Sequence, residues 1–182
     1  MKEIVNRLIR EVLEHQTDES ALYAIVDAAR DPEVYPSTLE PGLDVRCLYA
    51  GVLPEAIAHT APYLVELDPE TVFADTIREH WADSWGIVVR ANADIETLRK
   101  HFRKLNYVRG PDGKRLLFRY YDPRVIRVYL PTCTTDELRQ VFGPVKELVA
   151  VAEDGGSIRF SFDGEKLSVA HEGRAAEGET HG

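Results

Sequence analysis

Four short apolar runs constrain the fold of this chain most strongly. They are ALYAIVD at 21–27, RCLYAG at 46–51, PYLVEL at 62–67 and WGIVVR at 85–90. Each run has the length of a strand, and turn or helix-capping residues separate one run from the next. A nearly continuous apolar run of this length is typical of a strand that is buried in a core.

Helix signals alternate with these runs. Apolar residues recur at helical spacing between Ile4 and Leu13, and helix starts are predicted at Pro54, Asp68-Pro69, Asp94, Asp122-Pro123 and a capping box at Thr134. Gly143-Pro144 is a helix stop. The sequence therefore predicts an α/β fold of the mixed α+β kind. A compact sheet with interleaved helices is followed by a small C-terminal antiparallel β-rich extension.

A hairpin is predicted where NYVR at 106–109 and LLFRYY at 116–121 flank the turn GPDGKR. In its second strand two sets of residues alternate, namely Leu117, Arg119, Tyr121 and Leu116, Phe118, Tyr120. Since side chains alternate between the two faces of a strand, we expect one of these sets to face the core.

Charge is segregated along the chain. The formal net charge is −9 at pH 7, yet residues 99–127 contain ten Lys and Arg against two Asp, a net of +8. Residues 1–98 carry −12 and residues 128–182 carry −5. The acidic total argues against a general nucleic-acid binder. The basic segment has three interpretations: a solvated surface, a docking site for an acidic partner, or contact with the acidic flanks of the chain itself.

Sequence motifs of catalysis and cofactor binding are missing. There is no Gly-rich phosphate loop, no GxSxG elbow and no His or Cys pair at metal-ligand spacing. We therefore expect a protein that is not an enzyme, with no catalytic residues, no metal and no cofactor. A small hydrolase whose site is assembled from distant residues remains a further alternative.

Cellular location is also constrained by the sequence. MKEIVNRLIR at the start lacks the apolar region of a signal peptide, and no apolar run reaches the ~20 residues of a membrane span. Cys47 and Cys133 are far apart and outside any CxxC pattern, so two free thiols are expected. These features predict a cytoplasmic protein without a membrane partner.

The stretch LLFRYYDPRVIRVYL at 116–130 is the most unusual segment. Its Arg and Tyr side chains are types that are enriched at interface hot spots, which favours a binding surface. A scaffold role fits the pattern as well and is favoured over contact, because Asp122 can cap the next helix and Arg124 can pair with a neighbouring carboxylate. The two roles can coexist.

An ordered set of segments resembles a known family. The set comprises LYAIVDAAR (22–30), CLYAG (47–51), APYLVEL (61–67), SWGIVVRANADIETLRKHFRKL (84–105), DGKRLLFRYYDPRVIRVYL (112–130) and FGPVKEL (142–148). It is similar to the bacterial domain-of-unknown-function family whose members serve as type VI secretion effector chaperones, also called adaptors. FRYYDPR and the later Phe-Gly-Pro are the most specific parts, and Tyr120 stands where the family usually has Phe.

The resemblance implies a non-enzymatic cytoplasmic chaperone. Such a protein binds a cognate effector, often through the N-terminal region of that effector, and helps load it onto the valine-glycine-repeat spike protein (VgrG). The predicted organisation is an N-terminal helix over 1–20, an effector-chaperone domain over 21–150, a C-terminal β extension over 151–170 and a disordered tail over 171–182. The family is described with a variable second lobe, and the residues after Pro144 are too few for a large lobe of that kind.

Predicted partner-binding residues come from the motif and from the basic helix. They are Arg119, Tyr120, Tyr121, Asp122, Arg124, Arg99, Lys100 and Arg103. A structural role is predicted for Asp122, Pro123, Phe142, Gly143 and Pro144. The docking segment of the cargo is expected to be acidic or aromatic-rich.

The alternative function is a nucleic-acid-binding module that uses the basic segment 99–127. In that case bases would stack on Tyr107, Phe118, Tyr120 and Tyr121. The acidic flanks argue against it, because they repel phosphate.

Overall fold

A seven-stranded antiparallel sheet organises the part of the chain that the computed structural model describes, residues 20–68 and 70–173. Its strands are β1 (Ala21–Asp27), β2 (Val45–Cys47), β3 (Pro62–Glu66), β4 (Gly86–Ala91), β7 (Val145–Val151), β8 (Ser157–Phe162) and β9 (Leu167–Glu172). Their order across the sheet is β2-β3-β1-β4-β7-β8-β9. A separate two-stranded hairpin consists of β5 (Tyr107–Arg109) and β6 (Arg115–Leu117).

Six α-helices are present in these described ranges. They are α1 (Val34–Ser37), α2 (Glu55–Ala58), α3 (Val72–Glu79), α4 (Ile95–Leu105), α5 (Pro123–Tyr129) and α6 (Thr135–Phe142). Short 3₁₀ turns lie at Trp81–Asp83 and Leu130–Thr132. The mixed α+β class is therefore confirmed. Residues 1–19 of the helix predicted over 1–20 and residues 174–182 of the tail predicted over 171–182 lie outside the described residues.

One predicted helix start is wrong. The helix expected to begin at Asp68-Pro69 begins at Val72, because the side chain of Thr71 accepts a hydrogen bond from the Ala74 amide and forms the cap. Asp68 instead accepts a hydrogen bond from the Glu70 amide, at 2.9 Å. Pro69 is outside the described residues.

Strand β1 explains why an antiparallel sheet has such continuous apolar runs. Tyr23 and Ile25 lie in a core on one face of the sheet, together with residues of α4, α5 and α6. Leu22, Ala24 and Val26 lie in a second core on the other face, together with residues of α1 and α3. Since both faces are covered, both alternating sets of side chains must be apolar.

The C-terminal strands are antiparallel, as predicted, and they belong to the main sheet. β7 pairs with β4, where Val149 lies opposite Val88. β8 and β9 follow outward from β7. Ile158 and Phe160 share the core of Tyr23, so the predicted extension completes that core. β9 ends at Glu172, which places the first two residues of the predicted tail in a strand.

The Phe-Gly-Pro segment holds α6 against α4. Gly143 has a φ of +45°, and a Cβ atom placed there would lie 2.6 Å from Cε1 of His101. The Nε2 atom of His101 donates a hydrogen bond to the Val141 carbonyl, at 2.7 Å. Phe142 is buried, and its ring lies 5.7 Å from that of Phe162. Only glycine fits position 143, since any side chain would displace the imidazole.

We expect Gly143→Ala to destabilise the protein more than Gly155→Ala does. Both glycines have positive φ, but a Cβ at Gly155 meets no atom within 4 Å. The left-handed conformation alone costs an L-residue about 1–2 kcal/mol, which is the loss expected for Gly155→Ala. At Gly143 the ψ of −110° lies outside the left-handed helical region, and this strain together with the steric overlap should raise the loss to roughly 3 kcal/mol or more in urea denaturation. Equal losses would contradict the proposed contact.

His101 should make stability depend on pH. Burial lowers the pKa of His101 below its ordinary value of 6.5, and the charge of Lys104 adds to this effect. The neutral imidazole therefore stabilises the fold fully above the ordinary pKa, and this contribution declines as the pH falls through and below that value. We expect His101→Gln to reduce the loss of unfolding free energy between about pH 7.5 and about pH 5.5. An unchanged pH profile in urea denaturation would exclude this role.

Candidate partner-binding site

The motif FRYYDPR at 118–124 leaves the hairpin and turns into α5. β6 ends at Leu117, and the following residues form a turn. Tyr120 and Tyr121 are both buried, with exposed fractions of 2% and 1%. The predicted alternation of a core-facing and a solvent-facing set is therefore wrong, since it holds only while the backbone is a strand.

Tyr120 anchors the motif to α4. Its ring stacks on Phe102 with centroids 5.8 Å apart, and its hydroxyl donates to the Phe102 carbonyl at 3.2 Å. The ring of Tyr121 meets that of Tyr120 edge-on at 5.2 Å. Burial raises the pKa of both hydroxyls well above the ordinary value, so both side chains stay neutral. The two tyrosines lie beneath the surface and support it from within.

Arg119 ties the motif to β1, an inner strand of the sheet. Its guanidinium forms an ion pair with Asp27, the last residue of β1. Asp27 is 2% exposed and accepts a second hydrogen bond from the Ala29 amide, at 3.1 Å. A buried carboxylate is costly unless it is paired, so Asp27 requires the nearby cation. Arg119 is itself 37% exposed and reaches the surface.

Asp122 and Arg124 form a closed pair at the start of α5. The Asp122 carboxylate accepts hydrogen bonds from the Arg124 amide at 2.9 Å and from its guanidinium at 2.9 and 2.5 Å. Burial would raise the pKa of Asp122, but the bonds from Arg124 outweigh it and lower the pKa. Asp122 is thus the cap and Pro123 the first helical residue, as predicted. Arg124 remains 53% exposed, so the scaffold residue is also a surface residue.

The basic residues of α4 differ in their surroundings. Arg99 donates through Nε to the Cys47 carbonyl at 3.2 Å, and its Nη1 lies 3.7 Å from the Glu96 carboxylate. Lys100 is exposed and Arg103 is half-buried. Arg99 is therefore partly committed to contacts within the chain.

The ten basic residues of the segment 99–127 fall into two groups. Five form ion pairs: Arg99 with Glu96, Lys114 with Asp112, Arg119 with Asp27, Arg124 with Asp122, and Arg127 with Glu153. In the described ranges the other five form none, and we call them the unpaired cations: Lys100, Arg103, Lys104, Arg109 and Arg115. Half of the basic residues in the segment thus contact acidic residues of the chain itself.

The aromatic residues offer little surface for stacking on bases. Tyr120 and Tyr121 are buried. Phe118 is half-buried and packs edge-on against Tyr129, at 4.7 Å. Tyr107 is exposed, but the guanidinium of Arg115 lies over its ring, 3.7 Å from the centroid. This arrangement weighs against the nucleic-acid alternative.

Sequence reasoning missed two residues that position the site. Asp27 was assigned no role, although a charged residue that closes a buried apolar strand is itself a signal of a required partner. Asn106 is 1% exposed, and its side-chain Nδ2 donates to the Leu48 carbonyl at 2.8 Å. Its backbone carbonyl accepts from the Phe118 amide at 2.8 Å. Asn106 thereby fixes the base of the hairpin, and nothing in its sequence context indicates that role.

The described residues show neither a cluster of metal ligands nor a membrane-spanning helix. No group of three or more His, Cys, Asp or Glu side chains in the described residues is placed to hold a metal ion. Cys47 and Cys133 are free thiols, each half-buried. No helix in the ranges 20–68 and 70–173 has the length and apolar character needed to cross a bilayer.

Comparison with known proteins gives one match. The model of a family described as "Domain of unknown function (DUF4123)" matches residues 22–140, which is more than half of the chain. The matched region begins in β1, includes the whole FRYYDPR motif and ends within α6. No curated protein and no solved structure matches the chain.

The ion pair between Arg119 and Asp27 should be asymmetric in its energetics. Arg119→Met leaves a buried carboxylate without its cation, which we expect to cost roughly 2–3 kcal/mol of unfolding free energy. Asp27→Asn leaves a cation that reaches solvent, so about 1 kcal/mol is expected. The double variant should lose less than the sum of the two in urea denaturation. Additive losses would show that the pair does not connect the motif to β1.

Proposed function

Because the chain belongs to the DUF4123 family, we propose that it is a non-catalytic cytoplasmic adaptor that binds one type VI secretion effector and helps load it onto the VgrG spike. The observation that carries this proposal is the match over residues 22–140. It contains the FRYYDPR motif, through which the chain resembles the type VI effector chaperones. In this proposal the effector is bound through its N-terminal region.

The architecture around the motif supports an adaptor. The polar side chains of the motif are engaged with one another and with β1, so they hold the hairpin and α5 in place. The unpaired cations lie outside this closed network. Exposed cations accelerate the encounter with an acidic partner and disfavour wrong partners, while apolar contacts supply most of the affinity.

The direct test is co-purification with the products of neighbouring genes. We expect the tagged chain to form a stable complex with a toxin encoded beside it, and this complex to associate with a VgrG protein. Titration with single-stranded DNA at low and high salt should give no comparable binding. If neither a neighbouring toxin nor a spike protein binds, the adaptor proposal is wrong.

Arg124→Glu tests whether the motif surface takes part. Arg139→Glu controls for charge and exposure, because Arg139 is 55% exposed against 53% for Arg124, and each pairs with a nearby Asp. The partners differ, since Asp122 is buried and Asp136 is exposed, so the fold of each variant is measured separately. We expect the first variant to weaken binding of the toxin by about tenfold or more, which is 1.4 kcal/mol. The control should bind like the wild type.

Thermal unfolding separates loss of contact from loss of fold in these variants. If Arg124→Glu keeps both its melting temperature and its affinity, the motif surface does not contact the toxin, although the adaptor function stands. If both variants lose affinity equally, the effect is one of net charge and does not belong to the site.

A further inference from the structure

The β5–β6 hairpin is a weakly buried projection. It pairs with no strand of the main sheet, and all six of its strand residues are exposed. The apolar side chains of Tyr107, Val108, Leu116 and Leu117 are 40–48% exposed. A two-stranded hairpin is marginally stable by itself, so exposing four large apolar side chains on it adds no evident stability.

Two arginines face each other across this hairpin. Arg109 is the direct partner of Arg115 in the antiparallel register. Like charges directly opposite in such a pair repel each other and destabilise it. Neither residue forms an ion pair in the described part of the chain, and Arg115 is instead stacked on Tyr107. A carboxylate placed between the two guanidinium groups would remove the repulsion and form charge-assisted hydrogen bonds.

A cavity of about 130 Å³ lies at the base of the hairpin. Its apolar wall is formed by Leu105, Tyr107, Val108, Phe118, Tyr129 and Val141. A cavity of about 150 Å³ in another protein holds benzene, so this volume suits one leucine or phenylalanine side chain.

Two charged side chains of opposite sign, Lys104 and Glu137, line the cavity. Lys104 lines the cavity and is one of the unpaired cations. Glu137 also lines it, but its carboxylate accepts hydrogen bonds from the Thr134 amide at 2.7 Å and hydroxyl at 2.9 Å. Glu137 is therefore held in the cap of α6, whereas the Lys104 ammonium has no carboxylate partner among the described residues and can meet a carboxylate of a ligand.

The motif explains how this projection is held. The Phe118 amide donates to the Asn106 carbonyl at 2.8 Å, which closes the hairpin at its base. Tyr120 then anchors the segment under α4. The buried part of FRYYDPR thus positions a surface that lies just before it in the sequence.

We propose that the β5–β6 hairpin and the cavity at its base take an acidic segment of the effector that carries one large apolar side chain. Carboxylates of that segment contact Arg109 and Arg115, and its apolar side chain enters the cavity beside Phe118 and Tyr129. This inference rests on the proposed adaptor function and names the partner chemistry of its site. In this arrangement the carboxylates of the cargo offset the repulsion between the two arginines.

Arg109→Glu is the most informative variant, because it separates stability from binding. Placing an acid opposite Arg115 replaces repulsion by attraction, so the midpoint of thermal unfolding should stay the same or rise. The affinity for the neighbouring toxin should fall by about tenfold or more. Arg109→Lys keeps the charge and should retain most of the affinity. Arg139→Glu controls for the change in net charge.

Overlapping short peptides that span the same toxin identify the bound segment. We expect the wild-type chain to bind peptides that are acidic and contain Leu, Phe, Tyr or Trp, and Arg109→Glu to lose them. Replacing the apolar residue of the best peptide by Ala should weaken it by about tenfold or more. Val108→Asp, at the cavity wall, should do the same.

The outcomes distinguish this inference from the function on which it rests. If the wild-type chain binds no neighbouring toxin or spike protein, both are wrong. If it binds the toxin and Arg109→Glu binds equally well, or if the bound peptides are basic, only the assignment to the hairpin is wrong. A dimer of the free chain that Arg109→Glu abolishes would make the hairpin a contact between two copies and would also overturn the assignment.

Discussion

The buried carboxylate of Asp27 and its pairing with Arg119 determine where the FRYYDPR motif lies. Asp27 ends the inner strand β1 with its carboxylate almost wholly removed from water, and it is paired with Arg119, ninety-two residues later in the chain. Because the buried carboxylate is costly without its cation, the segment that carries Arg119 must return to the end of β1. The tyrosines that follow are thereby directed under α4, and α5 begins at the next residues. The geometry of the motif thus depends on the sheet.

The sequence predicts the fold well where signals are local. The apolar run at 21–27 coincides with β1, Asp94 and Asp122 cap the predicted helices, and the capping box at Thr134 is formed. Prediction is weaker where position depends on distant partners. Tyr121 was expected to alternate with Tyr120 across a strand, but both are buried because the backbone turns towards β1. No local pattern carries the pairing of Arg119 with Asp27, and none carries the role of Asn106.

The structure divides the basic residues of the segment 99–127 into those that pair within the chain and those that do not. The basic segment was open to three interpretations, and half of its cations are paired with carboxylates of the chain. The pairs of Arg119 with Asp27 and of Arg124 with Asp122 involve buried carboxylates, and they explain why the motif combines Arg with Asp. The remaining cations lie on α4 and on the hairpin. Fewer positive charges are therefore available than the sequence total suggests, and two of them lie on the hairpin, which also exposes four large apolar side chains.

The separation of the hairpin from the main sheet has an evolutionary consequence. Substitutions in its six strand residues leave both cores untouched, since none of these residues is buried. Mutations there are nearly neutral for folding, whereas mutations in the motif that anchors the hairpin are not. A chain built in this way can change which partner it recognises by a few surface substitutions, without losing stability at the intermediate steps. The architecture separates the residues under selection for folding from those free to diversify.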